Sequence, residues 1–522
     1  QASRQLNRGD LENALAHELR TLNFSQYDFA HVSDAQALLE RLGNSQAAEQ
    51  VVAQARERFS GNPARDVFLL KLAEQKRDTA GYASLIEQKL REQPEEWSLY
   101  YRLAQAQLQA REPRQAQRTL LAYPLWRREK ADSVALSNQA LEGGVLLLRA
   151  GEGELARPLF QIGAAYGSGS GAELWSGLWL ARLDHNWPEI RSWGRRLHQQ
   201  HKDGWGLSDA AYASFLIGDP TEGWRTFYEA SKQFEDARPW VAAVAGHRIA
   251  ATGDDGLIGF AKHWKTLSGD AATEAILRQQ FAFSAFMLDR SPGDKTFAYV
   301  VTSTGNTADP IYAPLATGYR AFKRGDYASA IDQLTKLADA GIRQSLSAQQ
   351  QGPLAVPYLA ASLTKVGRGQ EARALLSDFQ KRAGRDFYYL LGSAYVQGLS
   401  GDTRAGLDNL WQAQLSWPEM GKASIPPPFQ LLESAEKLYE LTGDARYREA
   451  LLDLARRQRV MWPWWWAYAF EAKYASDPRD REAALGVALF LDAQSEHLAG
   501  FNEAQRKRAQ RWFAANNPFK RP

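Results

Sequence analysis

Apolar residues along the chain recur at helical spacing and hardly ever alternate as in a strand. Leu99 and Leu103 lie one turn apart, Leu108 follows, and Leu120-Leu121 resume the stripe beyond a polar break at Arg111-Glu112. This pattern predicts two amphipathic helices joined by a tight turn. The clearest such unit covers residues 318–334. Its first helix stops at Arg324-Gly325-Asp326, where glycine accepts the left-handed angles that end a helix, and a second helix starts at once. Small Gly318 and small Ala330 let the two backbones approach, and Leu334 fills the space one turn further on. The run Phe297-Ala298-Tyr299-Val300-Val301-Thr302 is the nearest approach to a strand pattern, and it reads as a weak helix or a short extended link. The expected fold class is all-α.

The same small residue, a few positions after a turn, recurs along the chain. Ala14, Ala48, Ala83 and Ala116 are spaced by 34, 35 and 33 residues. Ala156, Ile190, Gly223 and Ile258 continue at spacings of 40, 34, 33 and 35, and Ala298, Ala330, Ala372 and Gly406 at 40, 32, 42 and 34. Two looser units, around Gly443-Asp444 and around Ala484, close the series. A period near 34 sustained over about 13 units resembles the tetratricopeptide repeat. Ile190 and Ile258 depart from that pattern, as do the longer spacings.

The resemblance implies a right-handed superhelical α-solenoid of about 13 TPR-like hairpins, whose first helices line a concave groove. A solenoid grows by stacking and need not split into domains. Residues 1–422 are expected to form it, with an aromatic-rich groove section at 172–264. The proline run Ser424-Ile425-Pro426-Pro427-Pro428 reads as a stiff extended loop and a boundary, as does Gln349-Gln350-Gln351-Gly352-Pro353 between earlier units. Residues 430–522 then supply further hairpins and a capping helix, continuous with the solenoid.

Eight of the 17 tryptophans fall between 175 and 264. By the resemblance, the positions facing the groove are Trp175, Trp179 and Arg182, then Trp205, Tyr212 and Phe215, then Trp240 and His247. Later units continue it with Tyr312, Tyr319, Phe322 and Lys323, then Tyr388 and Tyr395. Two readings stay open for this set, core packing and the binding of an extended ligand. Trp187, Trp193, Trp224 and Trp264 read as packing between helices. Near the end, Pro463 is expected to start a helix on which Trp462, Trp464, Trp465 and Trp466 either cap the solenoid or form a second docking site for a protein or a glycan. The tail from Asn516 to Pro522 reads as a loose or partner-bound end.

Lys plus Arg number 63 against 60 Asp plus Glu, a net charge of +3, which gives no case for nucleic-acid binding. The chain contains no cysteine, which excludes thiol chemistry, disulfides and zinc ribbons. That absence, a start at Gln1 and an incomplete first hairpin lead us to expect a periplasmic or exported protein from which an upstream segment has been removed, with the cytoplasm as the alternative. No run is long and apolar enough to cross a bilayer as a helix.

No catalytic constellation stands out. His198 and His201 share a helix face without further metal ligands, and the run Gly167-Ser168-Gly169-Ser170-Gly171 lacks the strand and lysine of a phosphate loop. The expectation is a noncatalytic scaffold, with no cofactor or metal, that binds a protein or peptide segment in a bacterial envelope assembly. The alternative is a carbohydrate-binding helical scaffold in polysaccharide synthesis or export, a role the resemblance allows. A helical toroid enzyme with an acid pair is a third and more distant reading.

Overall fold

The computed structural model describes residues 15–16, 18, 30–42, 44–58, 69–70, 73, 79–127, 133–166, 169–219, 221–223, 225–226, 229, 312–343, 352–416, 427–461, 463–491 and 498–519. Among the described residues there is no strand. The helices pair as hairpins with their neighbours in sequence, the arrangement of a right-handed α-solenoid of TPR-like repeats. The chain divides into two compact units, residues 1–124 and 125–522. The break expected near 423–429 therefore lies inside the second unit.

In the first unit α1 (Ala30–Arg41) pairs with α2 (Ser45–Arg58), and α3 (Thr79–Glu92), α4 (Trp97–Gln109) and α5 (Pro113–Leu121) follow. The Glu96 side chain starts α4 by accepting from the Ser98 N–H at 3.3 Å. Leu99, Leu103 and Leu108 are buried on its inner side, as their spacing predicts. Arg111 turns the chain at φ 64°, and Pro113 opens α5 where no N–H is required.

The second unit begins with α6 (Ser133–Arg149), α7 (Gly153–Tyr166), α8 (Gly171–Leu183), α9 (Trp187–His201) and α10 (Gly204–Ile217). It continues with α11 (Tyr312–Lys323), α12 (Tyr327–Arg343), α13 (Gly352–Lys365), α14 (Gly369–Ala383), α15 (Phe387–Leu399) and α16 (Thr403–Leu415). It ends with α17 (Pro427–Thr442), α18 (Ala445–Met461), α19 (Trp465–Tyr474), α20 (Pro478–Leu491) and α21 (Glu503–Asn516). Pro353 and Pro427-Pro428 sit in first turns, so the ends of both proline-containing stretches are helix starts and not extended loop.

The repeat register is carried by close helix contacts. A Cβ on Gly318 would lie 2.7 Å from Leu334 Cδ2, and Ala330 beside it is fully buried. Burying Leu334 there contributes about 1.5–3 kcal/mol. Ala48, Ala116, Ala156 and Ala372 are likewise inaccessible. Ile190 departs from the small-residue rule because the tight approach moves one turn on, to Gly194 against the Gly206 carbonyl of α10. Trp193 packs over Gly177 in the same layer, in keeping with its reading as a packing residue.

The second unit also returns on itself. Helix α18 packs on α6 and α8, and α16 packs on α6. The Gln414 side chain donates to the Arg149 carbonyl at 2.6 Å, sealing the seam between α16 and the end of α6. The tail, expected to be loose or partner-bound, packs through Phe519 at the α8–α9 turn, edge-on to Trp187 at 5.7 Å and only 8% exposed.

Candidate functional site

Helix α8 carries the first groove residues. It starts at Ser170, whose hydroxyl accepts from the Glu173 N–H at 3.2 Å. One turn in, half-buried Trp175 donates from Nε1 to Asp203 Oδ2 at 2.9 Å. Trp179, also half-buried, stacks on Phe160 with centroids 6.0 Å apart. The Arg182 guanidinium carbon lies 4.1 Å from the Trp179 ring centroid and is paired to buried Asp209 of α10. Burial opposes the charge on both members of that pair, pushing Asp209 up and Arg182 down, while their mutual attraction works the other way. Tyr212 is core, at 3% exposure.

A second group converges in the middle of the unit. Tyr319 and Phe322 of α11, Tyr358 of α13 and Tyr395 of α15 form one ring cluster, with Tyr319 to Tyr358 at 5.0 Å, Phe322 to Tyr358 at 5.3 Å and Phe322 to Tyr395 at 6.0 Å. Glu433 of α17 sits at its polar edge. It accepts from the Tyr319 hydroxyl, from the Tyr358 hydroxyl at 2.9 Å and from Lys323 Nζ at 3.0 Å. Burial first, and the Glu433 charge second, raise the Tyr395 hydroxyl well above its usual range, and Tyr358 likewise. The Tyr319 and Tyr358 hydroxyls are donors to Glu433. Tyr388, 7% exposed, packs edge-on to Phe387 at 5.4 Å.

Much of the sequence-assigned groove therefore lies in the core. Tyr212, Tyr319, Phe322, Tyr388 and Tyr395 are buried, Lys323 is partly so, and Trp175 and Trp179 keep partial exposure. For Tyr319 and Phe322 the cover is α17, whose Glu433 accepts from Tyr319 and Lys323 and whose Lys437 ammonium lies 5.9 Å from the Phe322 ring centroid. The side chains of Trp205, Phe215 and Tyr312, and all of Trp240 and His247, lie outside the described residues.

The C-terminal tryptophans are also core. Trp464, Trp465 and Trp466 are no more than 1% exposed. Trp464 stacks on Trp466 at 4.5 Å, and Phe429 of α17 meets Trp466 at 5.9 Å. They neither cap an end nor offer flat faces to a glycan, because α20 covers the helix that they begin. Trp462 lies outside the described residues. Sequence reasoning missed Glu433, Tyr358 and Asp209. The signal for the first was Gln430, Glu433 and Ser434, a polar stripe at helical spacing within an apolar helix.

Among the described residues no group of three or more His, Cys, Asp or Glu could hold a metal ion, and His201 is engaged by the Gly169 carbonyl at 2.9 Å. No described helix is long and apolar enough to cross a membrane.

No protein-family model and no curated protein matches the chain. Solved structures of helical-repeat proteins resemble it at low identity. A structure of Naa15/Naa10 bound to HypK-THB is 14% identical over 100% of this chain and 92% of that one, with a TM-score of 0.34. The TPR domain of P58(IPK) is 14% identical, covering 76% of this chain and 98% of its own, with a TM-score of 0.19. Yeast Tom70 is 12% identical over 92% and 98%, with a TM-score of 0.23.

Proposed function

We propose that the chain is a noncatalytic scaffold that holds a protein partner against the concave aromatic face begun by α8, in a bacterial envelope assembly. The carrying observation is that Trp175 and Trp179, one turn apart on α8, stay half-exposed while most other described aromatics of the set are core. Stacking on Phe160 and the bond to Asp203 fix these two indoles in place. Rigid aromatic anchors of this kind dominate interface energetics, because little side-chain entropy is lost when a partner covers them.

A photo-crosslinker at position 179, beside a control at exposed Val366, tests the reading. One partner captured at 179 and absent at 366, and lost from a folded Trp175→Ala/Trp179→Ala variant, is the expected result. Equal capture at both positions, or retention of the partner by the double variant, overturns it. The carbohydrate-binding alternative loses the support of Trp464–Trp466, whose indoles are enclosed.

A further inference from the structure

At the seam of the second unit, the α6–α7 turn and the end of α8 face the junction of α18 and α19 across a cleft of about 340 Å³. That volume falls in the range of small-molecule sites, roughly 300–1,000 Å³. Its lining includes Glu152, Glu154, Leu183, Arg459, Val460 and Tyr468. Tyr468 is 9% exposed, and the Arg459 guanidinium carbon lies 5.7 Å from its ring centroid. Tyr468 brings to the wall of the cleft a phenol hydroxyl that can both donate and accept.

The charges of the lining decide the class of ligand. Glu152 is matched by Arg457 at 2.9 Å, and Glu154 by a two-pronged contact with Arg157 at 3.0 and 3.1 Å. Arg459 is matched by Glu471. The two carboxylates and the guanidinium of the lining thus each have a counter-charge within the protein, and His185, which also lines the cleft, packs its ring against Trp187 at 6.0 Å. Hydrogen-bonding capacity nevertheless remains, since a carboxylate accepts at about four sites and a guanidinium donates five N–H groups. Leu183 and Val460 add apolar surface on either side. Acceptors, donors and apolar walls without net charge suit a ligand whose hydroxyls both donate and accept and whose C–H face is apolar.

We infer that this cleft binds a neutral polyol of about the size of one sugar ring, with the Tyr468 hydroxyl and Arg459 donating to it and the Glu152 and Glu154 carboxylates accepting from it. This site is separate from the α8 aromatic face and stands whether or not that face binds a protein.

The test is saturation-transfer NMR with the full chain, using glucose, ribose and myo-inositol as probes and inorganic phosphate and glycine as charged contrasts in parallel titrations. Saturable binding of at least one polyol is expected, weakened roughly 3- to 10-fold by Tyr468→Phe, the loss of one hydrogen bond. Val460→Phe, which narrows the cleft without touching a charge, should weaken it further. The inference is overturned if no polyol binds the intact chain, if neither variant weakens binding, or if phosphate or glycine binds as tightly as the polyols.

Discussion

The guanidinium of Arg457 donates to the Ala150 carbonyl at 2.8 Å across 307 positions of sequence, and to Glu152 at 2.9 Å. This contact holds the α6–α7 turn against α18 and closes the second unit. Gly151 makes it feasible, with φ at +81° and no side chain to meet Arg457.

Gly151→Ala should therefore open the seam. Its Cβ would lie 2.3 Å from Arg457 Cβ and 2.8 Å from the Arg457 backbone, and the left-handed angles add about 1–2 kcal/mol. Gly325 has φ +79° with nothing near its Cβ, so Gly325→Ala carries only the backbone cost. Hydrogen exchange across α18 should accelerate in the first variant and not in the second. Equal behaviour of the two would show that the seam is not tightly packed.

Glu433 is expected to be the most sensitive acid of the second unit. Glu433→Ala removes the carboxylate that pairs the partly buried Lys323 ammonium and accepts from the buried Tyr319 and Tyr358 hydroxyls, at a cost of about 3–5 kcal/mol. Tyr319→Phe removes one donor and should cost about 1 kcal/mol. Denaturant unfolding would rank them, and a Glu433→Ala loss no larger than that of Tyr319→Phe would mean that water replaces the lost partner.

The repeat was legible because its determinants are local. Gly318, Ala330 and Leu334 lie within one hairpin, so spacing alone fixed their contact. The fate of Tyr319 was not legible, because its cover is Glu433, 114 positions away. Trp464–Trp466 read as an end cap from their place near the C-terminus, yet α20 and α21 follow and continue the packing. Aromatic residues at helical spacing carry the same sequence signal whether they line a groove or a core. Only the curvature of the unit decides between them, and curvature accumulates over many small contacts.

Asp386 introduces a pH dependence of known sign. It caps α15, accepting from the Tyr389 N–H at 2.9 Å, yet burial outweighs that bond and pushes its carboxyl up to about 6. The unfolded value is about 3.9. Between these values the folded state holds more proton than the unfolded one, so stability falls as pH rises from about 4 to about 6, and the loss is complete above that window. Asp386→Asn keeps the capping acceptor and removes the charge. It should flatten this part of the stability profile and raise stability at pH 7. Unfolding midpoints at pH 4.5 and 7 check it, and an unchanged slope would place the titration elsewhere.

Arg182 and Asp209 separate structural need from net stabilisation. The pair is buried, with side-chain exposures of 8% and 1%, and Asp209 Oδ1 finds no hydrogen-bond partner among the described residues. Asp209→Ala removes the carboxylate that pairs the buried guanidinium and should cost about 3–5 kcal/mol. The double change Arg182→Met/Asp209→Leu removes both desolvation penalties and should come within about 1 kcal/mol of the intact chain, even after losing the contact of Arg182 with Trp179, itself worth about 0.5–1 kcal/mol. A double-mutant cycle by denaturant unfolding gives the coupling directly. If the double variant is as unstable as Asp209→Ala, the pair positions α8 against α10 in a way that apolar side chains cannot replace. Capture of a partner at position 179 should then fall with it, because Trp179 takes its place from the same helix.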